Sequence, residues 1–378
     1  MSLRHTANDI GLSPNGKALD SDSSIVGVRV PQAQSFIPRM IARDFLHYRT
    51  ICFGAKQIAM MADEKSPSRI SHRRFATSCS EMESIMHKVQ AKAILSAKNG
   101  MNIYRGCQHG CIYCDARSTC YQMNHVFEDI EVKENAPQLL EAALKRKRKK
   151  CMIGTGAMSD PYMPLEMELN LTRQCAELIE RYGFGLTVLT KSDNVLRDLD
   201  LFRRINAKTK CVIQMTLTTM DDELSRKIEP GVCTTARRIE VLNILKEEGI
   251  PTVVWLTPLL PFINDTEENI FGILEACQKA SVRGIMTFHS FGVTLRDGDR
   301  QYFYSQLDKK FPGLRRQYIE AYGNAYELPI PRDREIFPVF REKCEAAGIE
   351  WRTNQIFEYL NTFEEKGCGQ QMTLADFM

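Results

Sequence analysis

Three cysteines stand close enough in the sequence to bind one metal centre. The segment reads Tyr104-Arg105-Gly106-Cys107-Gln108-His109-Gly110-Cys111-Ile112-Tyr113-Cys114, a Cys-x3-Cys-x2-Cys spacing. Thiolates this near in sequence can wrap a single iron–sulfur cluster. Gly106 and Gly110 allow the backbone the positive φ angles that a tight wrap requires. Three thiolates on a four-iron cluster leave one iron open, as a catalytic cluster needs. A zinc site is the competing reading, with Cys120 or His109 as fourth ligand.

The chain holds 13 cysteines, an odd number scattered over 378 residues, which does not describe a disulfide framework. Cys344 and Cys368 have no close cysteine partner in the sequence, so no second cluster is expected. Apolar residues make up 43 % and charged residues 26 %, which excludes disordered and fibrous classes for most of the chain. The longest apolar candidate for a membrane span, 251–263, is short and carries three prolines. Residues 1–10 lack the apolar block of a secretory signal. A cytoplasmic protein with no membrane partner is expected.

The net charge is +3, and residues 1–85 carry all of it, with 11 basic and 8 acidic side chains. The remainder is neutral, so composition gives no argument for a nucleic-acid partner. Lys145 to Lys150 is a run of six cations. It reads as a solvated helix end suited to the helix dipole, with phosphate contact as the competing use.

The elements that must position the cysteines follow from hydrophobic periodicity. Residues 1–85 are polar with weak periodicity and are expected to form a poorly ordered extension. From Met86 onward, β-like runs alternate with amphipathic helices. A first strand ends near Tyr104. Further strands are predicted over 151–157, 186–190, 212–217, 252–257 and 284–288. Helices are predicted over 136–149, 172–182, 195–205, 235–248 and 267–280. Gly249 closes the fourth of these. This alternation predicts an α/β fold of parallel strands, a partial (β/α)6 barrel of TIM type over 86–294. A mainly helical C-terminal extension is expected over 295–378. Functional groups should gather at the C-terminal ends of the strands. Gly154 and Gly156 lack the third glycine and the acidic residue of a dinucleotide fingerprint.

The cysteine loop, with an aromatic residue just before its third cysteine, resembles the signature of the radical S-adenosylmethionine (SAM) superfamily. The resemblance implies a 4Fe-4S cluster held by Cys107, Cys111 and Cys114. Its open iron would chelate the amino and carboxylate groups of S-adenosylmethionine. It further implies reductive cleavage of that cofactor to a carbon radical, with Tyr113 near the adenine. An electron donor such as a flavodoxin or ferredoxin would reduce the cluster. Three further segments are similar to the spore photoproduct lyase group. They are Gly154 to Tyr162, Thr190 to Asp193, and Arg226 to Gly231 followed by Arg237 to Glu240. On the match, Ser159, Asp160, Lys191 and Thr216 hold the methionyl end of the cofactor. Thr216 and Thr218 are expected to share one strand face, and a lysine is a point cation suited to a carboxylate.

Two positions depart from that group. Ala157 stands where the lyases place a hydrogen-donor cysteine, and Asp115 where they place a tyrosine. Cys151 lies at the opposite end of its predicted strand. The expected function is therefore hydrogen abstraction from an unidentified substrate. Lesion repair in DNA is the first alternative, and a zinc-bearing nucleic-acid-binding module the second. His289, after the sixth predicted strand, is a candidate substrate contact.

Overall fold

The computed structural model describes residues 86–288 and 291–366. The expectation of a poorly ordered extension over 1–85 falls outside the described residues, as do those for His289 and Cys368.

In chain order, β1 is Met86–Val89, β2 Gly100–Met101, β3 Tyr104–Arg105, β4 Ile130–Lys133 and β5 Met152–Thr155. They are followed by β6 Gly185–Thr190, β7 Cys211–Thr216, β8 Thr252–Trp255 and β9 Gly284–Met286. Six strands form one sheet in the order β2-β5-β6-β7-β8-β9, every pair parallel. Strand order follows chain order, and β2 and β9 do not pair with each other, so the barrel is open. Helices α1 (Ala136–Arg146), α2 (Pro164–Leu169), α3 (Leu171–Arg181), α4 (Leu199–Lys208), α5 (Asp222–Ile228), α6 (Thr235–Glu247) and α7 (Glu267–Lys279) make the crossovers.

Burial explains the strand sequences. All six residues of β7, Cys-Val-Ile-Gln-Met-Thr, are buried, because a parallel strand is covered on both faces. Ile213 and Met215 join Leu186, Val188, Val254 and Ile285 in the layer under the helices. On the opposite face, Gln214 Nε2 donates to Thr187 Oγ1 at 2.8 Å, and Trp255 Nε1 donates to Gln214 Oε1 at 2.8 Å. That face is the barrel interior, and it is partly polar. The helices start where capping side chains stand. Asp221 accepts from the amides of Glu223 and Leu224 ahead of α5, Thr234 from Arg237 ahead of α6, and Thr266 from Asn269 ahead of α7.

The first predicted strand is corrected. The barrel begins with Gly100–Met101, whereas Tyr104–Arg105 leaves it for a three-stranded sheet of order β1-β4-β3. In that sheet β1 runs parallel to β4, and β3 antiparallel to it. The helix predicted from Val195 starts as a 3₁₀ stretch, Asp193–Asp198, before α4. The helix predicted to reach Lys149 ends at Arg146.

The C-terminal part is mainly helical, as expected. It holds α8 (Asp299–Lys310), α9 (Leu314–Tyr322), α10 (Asp333–Ala346) and α11 (Thr353–Asn361). A small antiparallel pair interrupts it, β10 (Gly292–Thr294) with β11 (Glu327–Pro329). Ile356, Phe357 and Leu360 of α11 pack with Val212, Val253 and Met286, so this helix closes the interior from below. Among the described residues no helix is long and apolar enough to cross a membrane.

Candidate active site

The cysteine loop follows β3 and lies over the C-terminal ends of the barrel strands. Gly106 and Gly110 take φ of +86° and +64°, as the wrap requires. Cys107 and Cys111 are buried and Cys114 partly so. None of the ten described cysteines is in a disulfide. Burial raises the Cys107 thiol, but the His109 imidazole beside it outweighs this and leaves the thiol below its ordinary value. Burial pushes the Cys111 thiol well up. Burial, with Cys107 next to it, pushes Cys114 up to about 11. One thiol already disposed to ionise, beside two that hold their protons, is a donor set suited to a metal cluster, which takes thiolates and displaces their protons. The residues present fit the cluster that the sequence implies.

The loop is pinned from several sides. Ser159 Oγ donates to the Gly106 carbonyl at 2.6 Å. The Ile112 amide donates to the Ile228 carbonyl at 3.0 Å, and the Gly231 amide to the His109 carbonyl at 2.9 Å. At Gly231 a Cβ would stand 2.8 Å from both the Gln108 oxygen and the His109 Cα, so a side chain there would force the two loops apart. Phe127, in the stretch leading into β4, packs with Cys107 and Ala116 and covers the loop.

The other sequence-derived site residues converge here. Asp160 lies past β5, and both its oxygens are engaged. Oδ1 accepts from the Tyr162 amide at 2.9 Å and Thr190 Oγ1 at 2.7 Å. Oδ2 accepts from the Lys191 amide at 2.7 Å and lies 3.4 Å from His109 Nδ1. Asp160 therefore fixes the turn that carries Lys191, the first residue beyond β6. The Lys191 ammonium stands 5.9 Å above the Tyr113 ring. Burial lowers the lysine's pKa, yet Cys111, Glu229 and Asp160 outweigh it and raise the value, so Lys191 is a cation here. Thr216, the last residue of β7, shares the interior face of Gln214 and is buried. Thr218 lies beyond the strand, and its Oγ1 donates to Glu229 Oε1 at 3.2 Å.

One feature was not legible beforehand. The Tyr113 hydroxyl donates to Glu229, a fully buried carboxylate paired with fully buried Arg238. Both residues lie in the segments Arg226 to Gly231 and Arg237 to Glu240 that resemble the lyase group. Asp115 accepts from the Tyr121 hydroxyl at 2.7 Å, so a tyrosine reaches this place from six residues further on. Cys120 has other partners. Its sulfur accepts from Ser118 Oγ at 3.2 Å and from Arg296 Nη1 at 3.3 Å. Cys151 precedes β5, at the other end of the barrel. The cation run is also at that end. Within it Lys145 pairs with Glu141, Lys147 donates to Asn99 Oδ1 and Lys150 to the Tyr182 carbonyl.

Residues 101–274 match the radical SAM superfamily. An uncharacterised protein of Methanocaldococcus jannaschii is 36 % identical over 176 residues, 46 % of this chain and 65 % of the relative. The chain thus spans slightly less than two-thirds of that relative. A radical SAM Nalpha-GlyT isomerase of Pseudomonas phage M6 is 24 % identical, covering 71 % of this chain and 57 % of the phage protein. A solved structure of a spore photoproduct lyase variant superposes with a TM-score of 0.52 at 15 % identity. That superposition covers 80 % of this chain and 93 % of the other, a likeness of fold. The matched stretch runs from the end of β2 into α7 and takes in β5 to β8 of the parallel sheet. The match is a similarity to that superfamily over slightly less than half of the chain. A small zinc module would have no use for such a barrel.

Proposed function

We propose that the chain is a radical SAM enzyme that cleaves S-adenosylmethionine reductively at a 4Fe-4S cluster and takes hydrogen from a substrate still to be identified. When bound, the reduced cluster and the cofactor supply one-electron chemistry, breaking a carbon–sulfur bond to give methionine and a 5′-deoxyadenosyl radical. Cys107, Cys111 and Cys114 hold the cluster. Lys191 receives the cofactor carboxylate. Thr216 and Ser159 line the methionyl end, and Asp160 sets the turn that presents Lys191. Tyr113, held by Glu229, borders the adenine. Phe127 and the 226–231 loop exclude water from the thiols. The described cysteines, all free, suit a reducing, cytoplasmic setting and a flavodoxin or ferredoxin as electron donor.

The observation that supports this reading is one loop with three cysteine thiols, two of them buried, beside the Lys191 cation at the mouth of an open barrel. Anaerobically reconstituted protein, reduced with dithionite, should convert S-adenosylmethionine to methionine and 5′-deoxyadenosine. The Cys107→Ala variant should not. Equal turnover by both proteins would remove the assignment.

A further inference from the structure

A second set of ligand-type side chains lies outside the cysteine site. His87 on β1 is in parallel register with Glu131 on β4, and His125 comes from the stretch just before β4. One ring nitrogen of each histidine and one Glu131 oxygen lie within 4.8 Å of one another. The two imidazoles meet edge to face, with centroids 4.8 Å apart. Nε2 of His125 stands 3.8 Å from Glu131 Oε2. That nitrogen is sealed from solvent and has no hydrogen-bond partner among the described residues.

The remaining polar contacts prepare these groups for a cation. His125 Nδ1 is 3.0 Å from the Val126 carbonyl oxygen. A carbonyl only accepts, so Nδ1 carries the proton and Nε2 keeps a lone pair. His87 Nδ1 is 2.9 Å from Asp129 Oδ1, a carboxylate that orients the ring in the same way. A metal-binding histidine characteristically donates its outer N–H to a carbonyl or carboxylate, and both rings here have that partner. Arg105 lies opposite Glu131 on the other side of β4. Its guanidinium donates to the Tyr121 carbonyl at 2.8 Å, which leaves the Glu131 carboxylate available.

We propose that His87, His125 and Glu131 bind one divalent cation of the zinc type, separate from the iron centre. Two imidazoles and a carboxylate suit such an ion, with water completing its shell. The ion ties β1 to the stretch that covers the cysteine loop, because Phe127, two residues beyond His125, packs on Cys107. Its role would be to clamp that cover.

The test uses anaerobically prepared protein with its iron centre loaded, treated with a chelator, dialysed and titrated with zinc chloride. Zinc and iron are both counted by mass spectrometry. Wild type is expected to retain one zinc per chain that the His87→Ala/His125→Ala double variant lacks, with iron content equal in both. Glu131→Gln, nearly isosteric, should bind zinc at least tenfold more weakly. If the double variant loses iron and so fails to fold, Glu131→Gln decides alone. Equal zinc affinity in wild type and Glu131→Gln, or no zinc held by wild type, would overturn the proposal. In either outcome the two histidines would serve only as ion-pair partners of Asp129 and Glu131.

Discussion

Arg238 Nη2 lies 2.5 Å from Glu229 Oε2, and neither side chain has any exposed surface. The arginine spends its other donors on the Cys233 carbonyl at 3.0 Å, the Thr216 carbonyl at 2.8 Å and Ser225 Oγ at 3.0 Å. The glutamate accepts from Tyr113 and Thr218. One pair thus joins the cysteine loop, the end of β7 and the start of α6. Burial raises the Glu229 pKa, but Arg238 and Lys191 outweigh it and hold the carboxyl below the usual range. The pair is ionised in the folded protein.

Removing one partner leaves the other charge buried and uncompensated. Arg238→Ala should cost about 3–5 kcal/mol of stability, read as a lowered urea midpoint. Arg238→Lys should recover little, since a point cation cannot reproduce the planar fork that reaches three carbonyl or hydroxyl acceptors besides Glu229. A loss below about 1 kcal/mol in the alanine variant would mean the pair is not an anchor.

The cluster assignment has a direct check. Replacing Cys107, Cys111 and Cys114 together with alanine should abolish iron binding, because no other three cysteines stand this close in the sequence. Full iron content in the triple variant would refute it.

Lys191→Ala removes the proposed carboxylate partner without touching a thiol. Affinity for S-adenosylmethionine should fall by about 1–3 kcal/mol, with iron content intact. Unchanged affinity in an equilibrium titration would take Lys191 out of the site.

A pH effect follows from Asp299 at the start of α8. Burial pushes its carboxyl up to about 7. Oδ1 accepts from the Arg296 amide at 2.8 Å, while Oδ2 is buried without a partner among the described residues. The folded state holds this proton more tightly than the unfolded chain does. Its contribution is therefore complete below about pH 4 and is lost as pH rises through about 7. Asp299→Asn should flatten this fall and be the more stable form at pH 8. Parallel urea midpoints for the two proteins from pH 5 to pH 8 would rule this out.

The last prediction concerns substrate. Ala157 cannot donate a hydrogen atom, and Cys151 lies before β5, at the wrong end of the barrel. Reduced enzyme given ultraviolet-damaged DNA should not return the lesion to thymines. Efficient repeated repair would show that another donor, Tyr121 or Cys120 among them, has taken over.

Much of this architecture was legible because local pattern carries it. The strands over 185–190, 211–216, 252–255 and 284–286 all fall within two residues of their predicted starts. A parallel strand buried on both faces leaves an apolar run that the sequence cannot hide. The first strand was misplaced because Gly100–Met101 is two residues long and has no periodicity to read. Tyr104, aromatic and buried, resembles a strand end, yet its partner is Val132 across 28 positions. The Glu229–Arg238 pair was missed for a related reason. Charged residues in sequence look like surface residues until the fold shows that Tyr113, Thr216 and Thr218 close around them. The cysteine loop stood out in the sequence because its three thiols fall within eight residues.

An open barrel leaves two strand edges that a neighbouring molecule could extend, and this one keeps both unattractive to foreign strands. The edge strand β2 offers two residues and β9 three, against six in each of the inner strands β6 and β7. Even these are partly taken by lone rungs from the chain itself, Leu95 against Met101 on one side and Glu350 against Gly284 on the other. A growing cross-β stack needs a long, vacant row of amides and carbonyls. The protein can hold its barrel open without presenting the template on which aggregation would start.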